Sequence, residues 1–179
     1  SATVLNPVDF GAKGDGVTDD TEAFNKLDRT ISENGGVVEV MIPPGTYMVN
    51  PLKTPMREMR SGVLRRKCLI ELVGDGSRIN GAGLIKIIPG IDYTAGMKDG
   101  QEWYWAVVLI SANACVVDGL QFSGNGTGTV SGHIAKQPNL RWEGVAGFGP
   151  GNNGYHFNNK VINCFITGGG GQPIALQNQ

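Results

Sequence analysis

Val8-Asp9-Phe10-Gly11-Ala12-Lys13-Gly14-Asp15-Gly16-Val17-Thr18-Asp19-Asp20-Thr21 is the stretch from which the fold is read. Gly11, Gly14 and Gly16 let the backbone turn through positive φ without a Cβ penalty, so the interleaved Asp and Gly predict a loop and not a strand. Thr18, Asp19 or Asp20 can accept from the free N–H groups of a following helix, and Asp19, Asp20 and Glu22 put negative charge at its positive end. The helix is expected to start near Asp19. Phe24, Leu27 and Ile31 then form one apolar stripe that must lie on something, and Asn34-Gly35-Gly36 ends it.

Beyond the helix the pattern is extended. Val37 to Ile42 is a β-branched run closed by Pro43-Pro44-Gly45, and Thr46 to Val49 resumes it. Residues 50 to 67 carry Pro51 and Pro55 without a clear period and read as a long connection with one helical turn. Cys68 to Val73 and Leu84 to Ile88 are further strands, followed by Val107 to Ile110. The segment Val116 to Phe122 aligns without gaps on Lys160 to Ile166, matching Val117, Leu120 and Phe122 to Val161, Cys164 and Ile166. This is a weak internal repeat of a strand–bend–strand unit, and Pro173-Ile174-Ala175-Leu176 reads as the start of another. Residues Thr127 to Phe157 interrupt it as a Gly-rich excursion, the kind of loop that carries function on a rigid scaffold.

Short strands separated by polar turns, with no helices between them, are best satisfied by stacking into a parallel solenoid. Such a stack leaves unpaired edges and apolar core at its ends. The Phe24/Leu27/Ile31 stripe can lie across the first rung and close one of them.

A chain of 179 residues suffices for one domain with a real core. Its 28 glycines and 17% charged residues describe a turn-rich globular protein, and a net charge of −1 gives no general argument for nucleic acid or an anionic membrane. The basic cluster Arg57, Arg60, Arg65, Arg66 and Lys67 reads either as a solvated loop or as a site for an acidic polymer. No apolar run suits a membrane span, and the first residues lack the form of a secretory signal. Cys68, Cys115 and Cys164 each sit in an apolar run, and an odd number cannot pair completely within one chain. Buried free thiols are expected, which leans toward folding in a reducing compartment.

With these residues in place, the chain resembles the pectate-lyase-like, right-handed parallel β-helix superfamily, in the branch of rhamnogalacturonase-like and epimerase-like proteins that also includes bacteriophage tailspikes. The resemblance is carried by Asp9 to Thr21, the helix, Gly35-Gly36-Val37-Val38 and Ile42-Pro43-Pro44-Gly45-Thr46-Tyr47. It implies an all-β, right-handed parallel β-helix (solenoid) with one N-terminal capping α-helix, and a protein that binds, cleaves or epimerises a polysaccharide. Residues 1–179 are expected to form a single β-helix domain, with a cap over 1–36 and rungs over 37–179. Family members usually continue through more rungs, so the chain reads as an N-terminal fragment of a longer β-helix.

Acid/base chemistry on a sugar polymer needs proton carriers projecting from neighbouring rungs. Asp118 reads as a carboxylate on an outer face, or as an acceptor for turn amides. Tyr155, His156 and Lys160 are the residue types with which alginate epimerases and lyases neutralise a uronate and move its C5 proton, or else a surface Tyr-His pair beside a solvated lysine. Trp103, Tyr104, Trp105 and Trp142, with Arg141 and Glu143, suit a carbohydrate groove in which rings stack on pyranose faces. The alternative is that Trp103 to Trp105 pack a loop against the solenoid wall. His and Cys spacing makes no zinc site, and Asp15 to Asp20 lacks the final glutamate of a calcium loop. No cofactor is expected from these residues, and calcium in the longer parent protein would bind at no site identified here.

The functional expectation is a carbohydrate-directed protein, with a phage tailspike or depolymerase segment that degrades bacterial surface polysaccharide placed ahead of a secreted polysaccharide lyase, hydrolase or C5-epimerase. The tailspike reading carries a homotrimer with it, and the expected location is extracellular or virion-associated. A purely structural, trimerising segment is the third reading.

Overall fold

A computed structural model describes residues 2–58, 65–91, 93, 103–124, 146–148, 157–167 and 175–176. The elements in chain order are β1 (Thr3–Leu5), β2 (Asp15–Asp19), α1 (Thr21–Asn34), β3 (Val38–Ile42), β4 (Thr46–Val49), β5 (Met56–Glu58), β6 (Arg65–Leu72), β7 (Arg78–Gly81), β8 (Leu84–Ile87) and β9 (Trp103–Ile110). They continue with β10 (Val116–Asp118), β11 (Gln121–Ser123), β12 (Ala146–Phe148), β13 (Lys160–Ile162), β14 (Phe165–Thr167) and β15 (Ala175–Leu176). The strands form three five-stranded sheets, ordered β1-β3-β7-β10-β13, β14-β11-β8-β4-β2 and β15-β12-β9-β6-β5. Every pairing is parallel except that of β5 with β6. From β3 onward each turn of chain adds one parallel strand to each sheet, with the antiparallel β5 beside β6, which is the right-handed parallel β-helix.

The interior is built from columns of residues in register. Leu5, Val40, Ile79, Val117 and Val161 stack along the first sheet, and Tyr47, Ile85, Phe122 and Ile166 along the second. All but Val161 and Ile166 are buried, each contributing roughly 1.5–3 kcal/mol. The register pairs Val117 with Val161 and Phe122 with Ile166, as the repeat requires.

Every bend from the first sheet to the second between β3 and β14 has a residue at positive φ: Gly45 (φ 149°), Gly81 (φ 129°), Gly119 (φ 82°) and Asn163 (φ 55°). The stacking is close enough that a Cβ on Gly81 would lie 2.1 Å from the Ile42 carbonyl oxygen.

The N-terminal cap is a partial rung. β1 pairs with β3 and β2 with β4, extending the first and second sheets, and α1 packs against β6 of the third. Phe24, Leu27 and Ile31 are fully buried, and Gly35 ends the helix at φ 68°, its N–H bonded to the Ile31 carbonyl. The helix begins at Thr21, where Asp19 accepts from the Thr21 N–H at 3.0 Å. The Asp20 carboxylate instead holds the loop, accepting from the N–H groups of Lys13 at 2.9 Å and Gly14 at 3.0 Å.

Four expectations are corrected. Asp15 to Asp19 is a strand and not a loop: glycines at positive φ admit an irregular register in which Asp15 pairs with Thr46 but Asp19 with Met48. The excursion from Thr127 to Phe157 contains β12, which pairs with β9 and completes a rung through Ala146-Gly147-Phe148. The connection over 50 to 67 has its one helical turn, at Pro51–Lys53, but it also contains the strand β5, and its last residues already belong to β6. Residues Ala175 and Leu176 pair with β12 in the third sheet, closing a rung where a new strand–bend–strand unit was expected.

Candidate functional site

The bends joining the first sheet to the second are tight, whereas each strand of the third is reached through a longer connection, as from β4 to β6, β8 to β9 and β11 to β12. Long segments beside a regular, rigid sheet are where function concentrates. The third sheet also has the two longest strands, β6 and β9, each of 8 residues.

Trp103, Tyr104 and Trp105 open β9, on a strand and not in a loop. Trp105 is fully buried, its indole N–H donates to the Thr54 hydroxyl at 3.1 Å, and its ring lies 5.9 Å from that of Phe122. It is a core residue with no face left for a sugar ring, a correction to its place in the groove. Arg141, Trp142, Glu143, Tyr155 and His156 lie outside the described residues.

Asp118 and Lys160 both lie on the outer face of the first sheet. Lys160 pairs with Val116, two residues before Asp118 in β10, and is exposed. The Asp118 carboxylate accepts from the Asn163 side-chain amide at 3.0 Å and lies 3.7 Å from the Arg78 guanidinium. Arg78 donates to Asn80 at 3.3 Å, and Asn80 donates to Glu39 at 2.8 Å. The result is a polar ladder from β3 through β7 and β10 to the bend at Asn163. Asp118 thus bonds the side-chain amide of the bend residue Asn163. The ladder's other members escaped the sequence reading, although Arg78-Ile79-Asn80 carries the polar–apolar–polar alternation that could have revealed them.

The acidic opening is occupied with backbone. Asp15 accepts from the N–H groups of Thr18 and Val17, and these bonds hold its pKa at about 2, below 3.8. Asp19 bonds Lys53 at 2.6 Å. Burial works against the ionised form of Asp19, but the bonds from Lys53 and Thr21 outweigh it and lower its pKa. Burial raises the Cys115 thiol to about 11; Cys68 and Cys115 are buried and Cys164 is half-buried. Among the described residues no three His, Cys, Asp or Glu side chains are grouped to hold a metal, and no helix is long and apolar enough to cross a membrane.

Three sheets around one core, strands stacked in parallel register and a helix over the first rung define a parallel β-helix of the pectate-lyase type. Residues 4–104 match the family described as rhamnogalacturonase A/epimerase, pectate lyase-like, and the chain belongs to it. Mannuronan C5-epimerase AlgE1 of Azotobacter vinelandii is 39% identical over 90 residues, covering 50% of this chain and 6% of that protein. Polygalacturonase ADPG1 of Arabidopsis thaliana is 36% identical over 63 residues, covering 34% of this chain and 15% of that protein. Among solved structures, the A-module of mannuronan C-5 epimerase AlgE6 from Azotobacter vinelandii superposes with a TM-score of 0.62 at 24% identity, over 96% of this chain and 40% of that one. The chain therefore spans a small part of the curated relatives and well under half of the superposed module.

Proposed function

We propose that this chain belongs to a polysaccharide-modifying β-helix enzyme, a C5-epimerase, lyase or hydrolase, whose polymer lies along the outer face of the third sheet. The observation that carries the reading is the family match over residues 4–104, joined by relatives named as mannuronan C5-epimerases and polygalacturonases. Tyr104 and Trp103 at the start of β9, with Arg141, Trp142 and Glu143, would bind sugar rings. Tyr155 and His156 fall in sequence between β12 and β13, next to Lys160. With Lys160 they would form the proton-transfer group, a cationic Lys160 neutralising a uronate carboxylate and His or Tyr exchanging the C5 proton. Asp118 would act there as a further carboxylate or serve only as the bend's anchor. The polymer's site is outside the cell, and the 179 residues act as one domain of a longer β-helix.

The test is incubation with polymannuronate and polygalacturonate in deuterium oxide, following deuterium at C5, unsaturated ends and reducing ends. Deuterium with an intact chain means epimerase, unsaturated ends mean lyase, and reducing ends alone mean hydrolase. No change in either polymer, and no binding of it, overturns the proposal.

A second reading, a trimeric phage depolymerase segment acting on bacterial surface polysaccharide, is favoured by one observation: the cysteines are odd in number and two of them are buried in the core, which leans toward folding in a reducing cell. Mass measurement after oxidation separates the two, since a cysteine that pairs between chains removes that support.

A further inference from the structure

We infer that the Asp15 carboxylate is an edge guard: it closes the outermost strand of the second sheet against pairing with the same strand of a second copy of this chain. β2 stands last in the order β14-β11-β8-β4-β2 and pairs on one side only, with β4. Asp15 to Thr18 are exposed, and Val17, at 85%, is the most exposed large hydrophobic residue among those described. The helix packs against β6 in the third sheet and leaves β2 open to solvent. An unpaired strand with an outward valine is a template on which another chain can build.

Two features of β2 counter that tendency. Between Asp15 and Asp19 the strand carries three residues where β4 carries only Tyr47 between Thr46 and Met48, so it bulges away from its neighbour, with Gly16 at φ 75° in the bulge. A bulge alone leaves N–H groups without a ladder partner. Asp15 takes them: one carboxylate oxygen accepts from the Val17 N–H at 2.9 Å and the Thr18 N–H at 2.8 Å, and the other accepts from the Thr18 hydroxyl at 2.7 Å. These are charge-assisted bonds, and they withdraw the amides that an added strand would need. The charge acts as well. Two β2 strands pairing antiparallel about a two-fold axis at Val17 set Asp15 of each copy opposite Asp19 of the other, a like-charge pair that opposes the contact. Removing Asp15 frees both N–H groups, abolishes that repulsion and leaves Val17 facing Val17. The contact is isologous and closes as a dimer, and an interface of one short strand pair is weak.

The experiment is sedimentation equilibrium of the full chain over a wide range of concentration. Asp15→Ala gains a concentration-dependent step to twice the wild-type mass, and the wild-type chain lacks that step. Adding Val17→Lys to Asp15→Ala removes the step, since two lysines then meet on the axis. A mass for Asp15→Ala that follows the wild-type curve, or association that Val17→Lys leaves intact, overturns the inference. Amide exchange of the wild-type chain tests the guard without any variant having to fold. The Val17 and Thr18 N–H groups exchange at least about tenfold more slowly than in an unstructured peptide, as bonds to a charged acceptor require, although their strand is exposed. Exchange at the unstructured rate overturns the guard.

Discussion

The Asp28 carboxylate of α1 accepts the backbone N–H of Glu71 in β6 at 2.8 Å. Glu71 is at the edge of the third sheet's first full rung, beyond the reach of β5, whose register ends at Met56 opposite Lys67. The helix occupies the place where a further parallel strand would stand, and one of its side chains supplies the acceptor such a strand would offer. Asp28 is buried, so the bond is shielded from water. Asp28→Ala is expected to lower unfolding free energy in urea by roughly 1–3 kcal/mol. Asp28→Asn, which keeps an acceptor oxygen, should recover at least half of that.

Gly81 and Gly35 both sit at positive φ but in different surroundings. A Cβ at Gly35 meets nothing within 4 Å, whereas one at Gly81 would penetrate the Ile42 carbonyl. Gly35→Ala should therefore destabilise by about 1 kcal/mol, and Gly81→Ala by more than about 3 kcal/mol, because backbone strain and a displaced rung add. Parallel urea titrations compare them.

Asp15 has a folded pKa of about 2, below 3.8. Its depressed value means that its contribution is fully present above pH 3.8 and is lost as pH falls toward 2. Acid titration of the wild-type chain and Asp15→Ala should show their melting temperatures converging across that window, with a constant gap above it.

Trp105 and Tyr104 are neighbours in sequence with opposite consequences. Trp105→Ala should cost about 3–5 kcal/mol of stability. Tyr104→Ala should reduce affinity for uronate oligosaccharides. Calorimetric melting and ligand titration on both variants read the difference.

The cap was legible because its signals are local: Gly35 ends the helix, and Phe24, Leu27 and Ile31 share one face. The repeat was legible only where the bend keeps its length. Val117 to Phe122 and Val161 to Ile166 have the same interval, but Ile79 to Ile85 is one residue longer and Val40 to Tyr47 two longer. A gapless comparison therefore missed β7 and, with it, Arg78 and Asn80 beside Asp118. Trp105 was read as a groove residue because aromatic clustering does not distinguish the two faces of a strand; only its bond to Thr54, far away in sequence, does. The pairing of Arg57 with Arg66 across β5 and β6 depends on hairpin register, which no periodicity in residues 50 to 67 announced.

Amide hydrogen exchange of the full chain, with and without saturating oligomannuronate, tests most directly whether the third sheet is the polysaccharide face. The account predicts slowed exchange across β5, β6 and the first half of β9, with β7 and β10 unchanged. Slowing confined to β7 and β10, around Arg78 and Asp118, or no slowing in any strand, would contradict it.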